Sequence, residues 1–194
     1  MTDEARLVDN GAGLVPQGPG WFVVNVSDVA WMRNDHFGAR CNFEADGRVV
    51  AEQPGLHVQQ HPQLGIRLHV LEPGRPSTMY HRESEQEDFL VLSGECLLIV
   101  EGQERRLRAW DLFHAAPNTT HSFVGGGDGP CVILMVGARS EDGTILYARD
   151  EVALKHGAGV DAATPSPREA YAPFPSWRLG RADAWDGLPW STSS

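Results

Sequence analysis

The chain reads as an all-β protein, an antiparallel β-barrel or jelly roll with an N-terminal strand extension, a short C-terminal helix and an extended tail. Three observations predict this. Seven short runs of β-branched, aromatic and aliphatic residues crowd into residues 65–139, turn residues separate them, and helical periodicity is nearly absent there. Packed at that spacing, so many strands can bury their apolar faces only in a barrel or a two-sheet sandwich.

In chain order the predicted strands are GIRLHVL (65–71), STMYHRE (77–83), EDFLVLS (87–93), ECLLIVEG (95–102), ERRLRAW (104–110), HSFVG (121–125) and PCVILMVGAR (130–139). Between them stand Pro73-Gly74, Ser93-Gly94, Glu101-Gly102, Pro117-Asn118 and Gly125-Gly126-Gly127. These residues supply the fixed or positive φ that tight turns require. GGGDG at 125–129 lacks the strand-turn-helix context of a phosphate loop and reads as a hairpin turn.

Around a barrel core at 64–140, residues 1–63 read as an N-terminal extension joining the barrel and 141–194 as a C-terminal extension. WFVVNVS (21–27) reads as a strand added to a sheet edge, and the polar, aperiodic stretch 44–63 as a loop. RDEVALKHG (149–157) has Glu151 near its start and Lys155 and Gly157 near its end, the charge order and terminal glycine of a helix. From Thr164 the chain is rich in Pro, Trp and Ser. Tyr171, Phe174, Trp177, Trp185, Leu188 and Trp190 make it too apolar for a free linker, so it is expected to wrap the barrel or a partner subunit. A sheet-edge strand at one end and this tail at the other predict a homodimer.

With 16 Lys and Arg against 26 Asp and Glu, the 194-residue chain has a formal charge of -10. That charge repels nucleic acid and anionic membranes. The acidic N-terminus has no apolar leader, and CVILMVGA is too short to span a bilayer, so a cytoplasmic protein is expected. Cys41, Cys96 and Cys131 form no C-x-x-C pair and read as free buried thiols.

Chemistry concentrates in YHRESEQEDFLVLSGE (80–95). In an extended strand His81 and Glu83 share one side, Tyr80 and Arg82 the other, and after a turn Glu87 shares a face with Phe89 and Val91. If that face is the interior, ionised carboxylates there must be paired or bound to a cation. Imidazole and carboxylate together suit one divalent ion of Mn, Fe, Ni or Zn. The competing possibility is a hydrogen-bonded pair of His81 and Glu83 without metal. Arg67 and His69 lie on a predicted strand where they could line the cavity mouth, but alternation does not say which face is inside and a solvated position is favoured; His114 reads as a satisfied histidine near a strand end.

At these residues the sequence resembles the cupin superfamily. Gly74, His81, Glu83, Glu87 and Gly94 follow the first motif of the family, with one extra residue before His81 and Glu83 in place of the second histidine. The second motif falls on Trp110, Ala116, Asn118, His121 and Gly125, where His121 matches and Asn118 replaces a glycine. Asn tolerates the left-handed conformation of a tight turn. In the rival register Tyr80 and Arg82 take the histidine positions, which keeps the spacing and destroys the site.

The resemblance implies that His81, Glu83, Glu87 and His121 surround one divalent metal, with Glu83 either a fourth ligand or a catalytic general base. The implied function is a metal-dependent enzyme acting on a small polar molecule, isomerase- or epimerase-like or dioxygenase-like. The alternative is a non-catalytic cupin that binds a small molecule or serves assembly.

Overall fold

A computed structural model describes residues 3–45, 57 and 60–191. The strands are β1 (Arg6–Asp9), β2 (Leu14–Gln17), β3 (Trp31–Asn34), β4 (Gly38–Asn42), β5 (Leu64–Leu71), β6 (His81–Glu83), β7 (Glu87–Ser93), β8 (Glu95–Val100) and β9 (Gln103–Arg108). They continue with β10 (Leu112–Ala115), β11 (His121–Gly125), β12 (Cys131–Ala138), β13 (Ile145–Tyr147) and, after helices α1 (Glu151–Lys155) and α2 (Pro167–Ala170), β14 (Arg178–Leu179). A seven-stranded sheet runs β10-β7-β12-β5-β4-β3-β14 and a five-stranded sheet β13-β6-β11-β8-β9, with β1 and β2 forming a separate ribbon. All pairings between these strands are antiparallel.

Alternation along each strand decides which side chains meet between the sheets. Leu71, Phe89, Val91, Ile133 and Met135 of the larger sheet pack on Leu98 and Phe123 of the smaller one. Leu68, Val70 and Val132, one residue out of phase, face away and pack on Trp31 and Leu188. Because Leu71 points between the sheets, so do His69 and Arg67, two and four residues before it.

The tail completes the outer layer. Leu188 is buried, and Trp185 and Trp190 set their rings 5.3 and 5.4 Å from that of Trp31. Tyr171, Phe174 and Trp177 gather around Phe37 and Tyr147. The tail thus wraps its own subunit. Helix α1 forms as expected: the Asp150 carboxylate accepts from Val152 N and Ala153 N at 2.9 and 3.0 Å, and Gly157 follows the helix with φ +69. It covers Tyr80, Ile99 and Val124 on the outer face of the smaller sheet.

Several expectations fail in detail. WFVVNVS is not a strand: Trp21 makes one isolated bridge to Glu4, and Trp21 and Val23 are exposed. Val24 and Val26 instead pack on the Trp31 cluster from an irregular backbone. The N-terminal strands come from β1 to β4. STMYHRE pairs as a regular strand only over β6, and LFHA, too short to signal by alternation, forms β10 beside β7. GGGDG is not a hairpin turn, because β11 and β12 lie in different sheets and the segment crosses between them. Most of the expected loop at 44–63 lies outside the described residues.

Candidate metal centre

Two strands of the smaller sheet and one of the larger bring the candidate donors together. His81 on β6 and His121 on β11 are direct cross-strand partners. Glu87 opens β7 in the facing sheet, with Phe89 and Val91 buried on the same side. His81, Glu87 and His121 each offer an atom within 4.8 Å of the others. This is the group that could hold a metal ion. Glu83 stands beside it, its Oε1 3.8 Å from His81 Nε2.

The backbone fixes the tautomer of both rings. His81 Nδ1 donates to Met79 O at 2.7 Å and His121 Nδ1 donates to Thr119 O at 3.0 Å. A carbonyl can only accept, so Nδ1 carries the hydrogen and Nε2 presents its lone pair to the centre. Burial pushes the His81 ring down to about 3, helped by His121, and pushes His121 down as well. Both rings are therefore neutral near pH 7, the form that ligates metal.

The carboxyls shift the opposite way. Burial, then the charge of Glu83, raises Glu87 to about 8, while Arg67 opposes the rise. Glu83 is also raised, chiefly by burial. Without a cation the site therefore favours carboxyls that keep their protons. The distances from His81 to Glu83, 3.8 Å, and from His121 to Glu87, 3.5 Å, exceed those of good hydrogen bonds. Two lone pairs and a carboxyl converging without mutual hydrogen bonds suit a shared divalent ion, and the donor set fits one.

Two cavities meet here. A smaller one of about 180 Å³ reaches Glu87, His121 and Arg139. A larger one of about 700 Å³ runs from His81 and Glu83 under Tyr171, Phe174 and Trp177. Both are lined by Arg67, Ser77, Thr78, His81 and Glu83. Arg139 is already engaged, giving its two terminal nitrogens to the Glu44 carboxylate at 2.6 and 2.9 Å.

The alternation of residues 81–91 is legible in the sequence and holds in the structure, and Asn118 adopts φ +67 in the turn before His121. For Arg67 and His69 the sequence favoured solvent over the cavity mouth. Arg67 instead lines both cavities, and His69 is fully buried, its Nε2 donating to Phe37 O at 2.6 Å. Only the facing sheet, known once Leu71 is seen in the core, reveals this. Arg40, Tyr147, Tyr171 and Trp177 were also missed as cavity residues because they come from distant segments. His114 is exposed and pairs with Asp88 at 2.8 Å, away from the donors.

The cupin domain family matches residues 67–137, the segment that contains every candidate donor. No curated protein matches the chain. Among solved structures, a provisional sugar phosphate isomerase from Acidithiobacillus ferrooxidans shares 29% identity over 57% of this chain and 65% of its own, just under two thirds, with a TM-score of 0.43. A sugar phosphate isomerase of the cupin superfamily from Silicibacter pomeroyi shares 23% identity over 67% and 88% of the two chains, TM-score 0.49. KdgF from a Halomonas species shares 22% identity over 64% and 98%, TM-score 0.47.

Proposed function

Because residues 67–137 form a cupin domain, we propose that the chain holds one divalent ion through His81, Glu87 and His121 and is an enzyme acting on a small polar molecule, with Glu83 as its proton-transfer group. The observation that carries this reading is the convergence of two neutral, backbone-oriented imidazoles and one buried carboxyl, with a second carboxyl beside them on a cavity. Bound there, a divalent ion supplies a Lewis acid for a substrate oxygen.

The remaining chemistry belongs to the chain. Glu83 is the least buried of the four groups, its side chain 34% exposed against 8% for His81. Its raised affinity for protons suits a group that takes a proton from a substrate carbon or hydroxyl and returns it. Tyr147, hydrogen-bonded to Tyr171, forms part of the wall beside it, and burial keeps that phenol protonated. Proton transfer by Glu83 supports an isomerase- or epimerase-like reaction over simple ligand storage. Iron in the native protein would favour dioxygen chemistry instead.

Metal analysis of protein purified without chelator or affinity tag tests the reading. One divalent ion per chain is expected, lost in His81→Ala. Failure to bind Mn, Fe, Ni or Zn, with the same melting temperature with and without each, overturns it.

Two further points belong to the same proposal. Three buried free thiols suit a reducing cytoplasm. Exposed Trp110 and Leu112, next to and on edge strand β10, leave an apolar surface for a homodimer. Light scattering at micromolar concentration checks this, and a monomer there excludes it.

A further inference from the structure

We propose that the substrate is a small anion bearing a carboxylate or phosphate group, which Arg67 and Arg168 receive in the larger cavity while the uncharged end reaches Glu83; this substrate class rests on the metal-centre reading above. The chain is acidic as a whole, with a formal charge of -10. Yet three arginines line this cavity, and Glu83 is the one acid on its lining. At about 700 Å³ it has the size of a small-molecule site. A polyanion such as nucleic acid is excluded by the surrounding charge.

Arg67 and Arg168 differ from Arg139, whose charge the Glu44 carboxylate already answers. Among the described residues Arg67 and Arg168 make no ion pair. Arg40 is buried, and its guanidinium lies over the Trp177 ring at 4.0 Å. That contact fixes the Arg40 charge in the cavity wall, where it adds to the positive potential beside Arg67 and Arg168. Phe37, Tyr147, Tyr171 and Trp177 supply apolar walls that lower the local dielectric and strengthen such contacts.

The charge balance of the centre supports the same class. A divalent ion held by the Glu87 carboxylate, with ionised Glu83 beside it, sits among charges that nearly cancel its own, so it attracts an anion only weakly. Arg67 sits where both cavities meet and already acts on Glu83 and Glu87 through space. Once an ion answers those carboxylates, the arginine charge remains for the substrate.

The full chain loaded with Mn(II) is titrated calorimetrically with inorganic phosphate, with malonate, and with glycerol as the neutral control. Free Mn(II) is followed separately by its paramagnetic resonance signal. Phosphate or malonate should bind and glycerol should not, and the anion that binds identifies the headgroup. Arg67→Met and Arg168→Met should each weaken anion binding about tenfold or more; Arg168→Met should keep Mn(II) affinity within about threefold, and Arg67→Met, which removes a positive charge beside Glu83 and Glu87, should not lower it. Anion binding no stronger than that of glycerol overturns the proposal, as does a double variant that binds anions like the wild type. If the wild type fails to hold Mn(II) yet binds anions in an arginine-dependent way, the metal reading falls and the anion site stands.

Discussion

His81 and His121 face each other across adjacent antiparallel strands, their ring centroids 5.3 Å apart and the rings tilted by 43°. Each ring is anchored through Nδ1 to a carbonyl two residues earlier in its own chain segment. Two imidazoles are thus aimed from a rigid ladder, and Glu87 arrives from the facing sheet.

Loss of either imidazole should therefore abolish tight metal binding. His81→Ala and His121→Ala each remove one of three donors and leave a carboxyl beside an incompletely ligated ion. We expect Mn(II) or Zn(II) affinity to fall about a hundredfold or more by calorimetry. Glu83→Gln should weaken it far less, because Glu83 lies beside the three-donor group. Equal affinity in His121→Ala would remove that residue from the centre.

The metal-free protein should show an unusual pH dependence. Glu87 holds its proton up to about 8 when folded, against an ordinary 4.5. Between those values the folded state binds more protons than the unfolded chain, so stability falls as pH rises. His81, held at about 3 against 6.5, acts the other way: its contribution grows from about pH 3 to 6.5 and is complete above that. From pH 6.5 to 8 the Glu87 effect stands alone of the two. The melting temperature should fall over that window, and Glu87→Gln should flatten the profile. Saturating Mn(II) should also flatten it by replacing the proton. A wild-type profile already flat without metal would contradict this.

The tail should be an integral part of the fold. Leu188 is buried against the Trp31 cluster, so Leu188→Ala should cost about 2–5 kcal/mol and lower the melting temperature by several degrees. Leu188 lines neither cavity, and metal affinity should stay unchanged. An unaltered melting curve would mean that the tail does not stabilise the sheet.

Two turn residues should respond in opposite directions. Trp110 has φ +75 and is 74% exposed, and Asn118 has φ +67. A left-handed backbone costs a bulky residue about 1–2 kcal/mol and is readily adopted by glycine, so Trp110→Gly should raise the stability of the monomer slightly while weakening the proposed dimer. Asn118→Ala should lower it by about 1 kcal/mol, since alanine lacks the local tolerance of asparagine. Thermal denaturation of the two variants checks both signs. A clear loss in Trp110→Gly would show that the exposed indole contributes more than its backbone costs.

What was legible in the sequence is what repeats locally. The period of two along 81–83 and 87–91 grouped the candidate donors with Phe89 and Val91 on one face, and Pro117-Asn118 marked the turn that presents His121. Interior position at Arg67 was not legible, because β5 is buried on both faces toward its end and its alternation carries no contrast. The facing of Arg40 and Trp177 depends on segments more than 130 residues apart, which no local pattern encodes. Apolar content alone misread WFVVNVS, whose valines pack without joining a ladder.

The wall formed by Tyr171 and Trp177 also has a consequence in time. Translation adds about 5–20 residues per second, and about 50 residues separate His121 from Tyr171. For a few seconds, therefore, a nascent chain possesses all of its histidine and glutamate donors while the aromatic wall has yet to be synthesised. The centre is most open to the ions of its surroundings during its own manufacture. If the centre holds a divalent ion as proposed, metal supplied in that interval meets the donors before the wall covers them, and the ion carried by the finished protein should then reflect the supply during synthesis as well as equilibrium affinity.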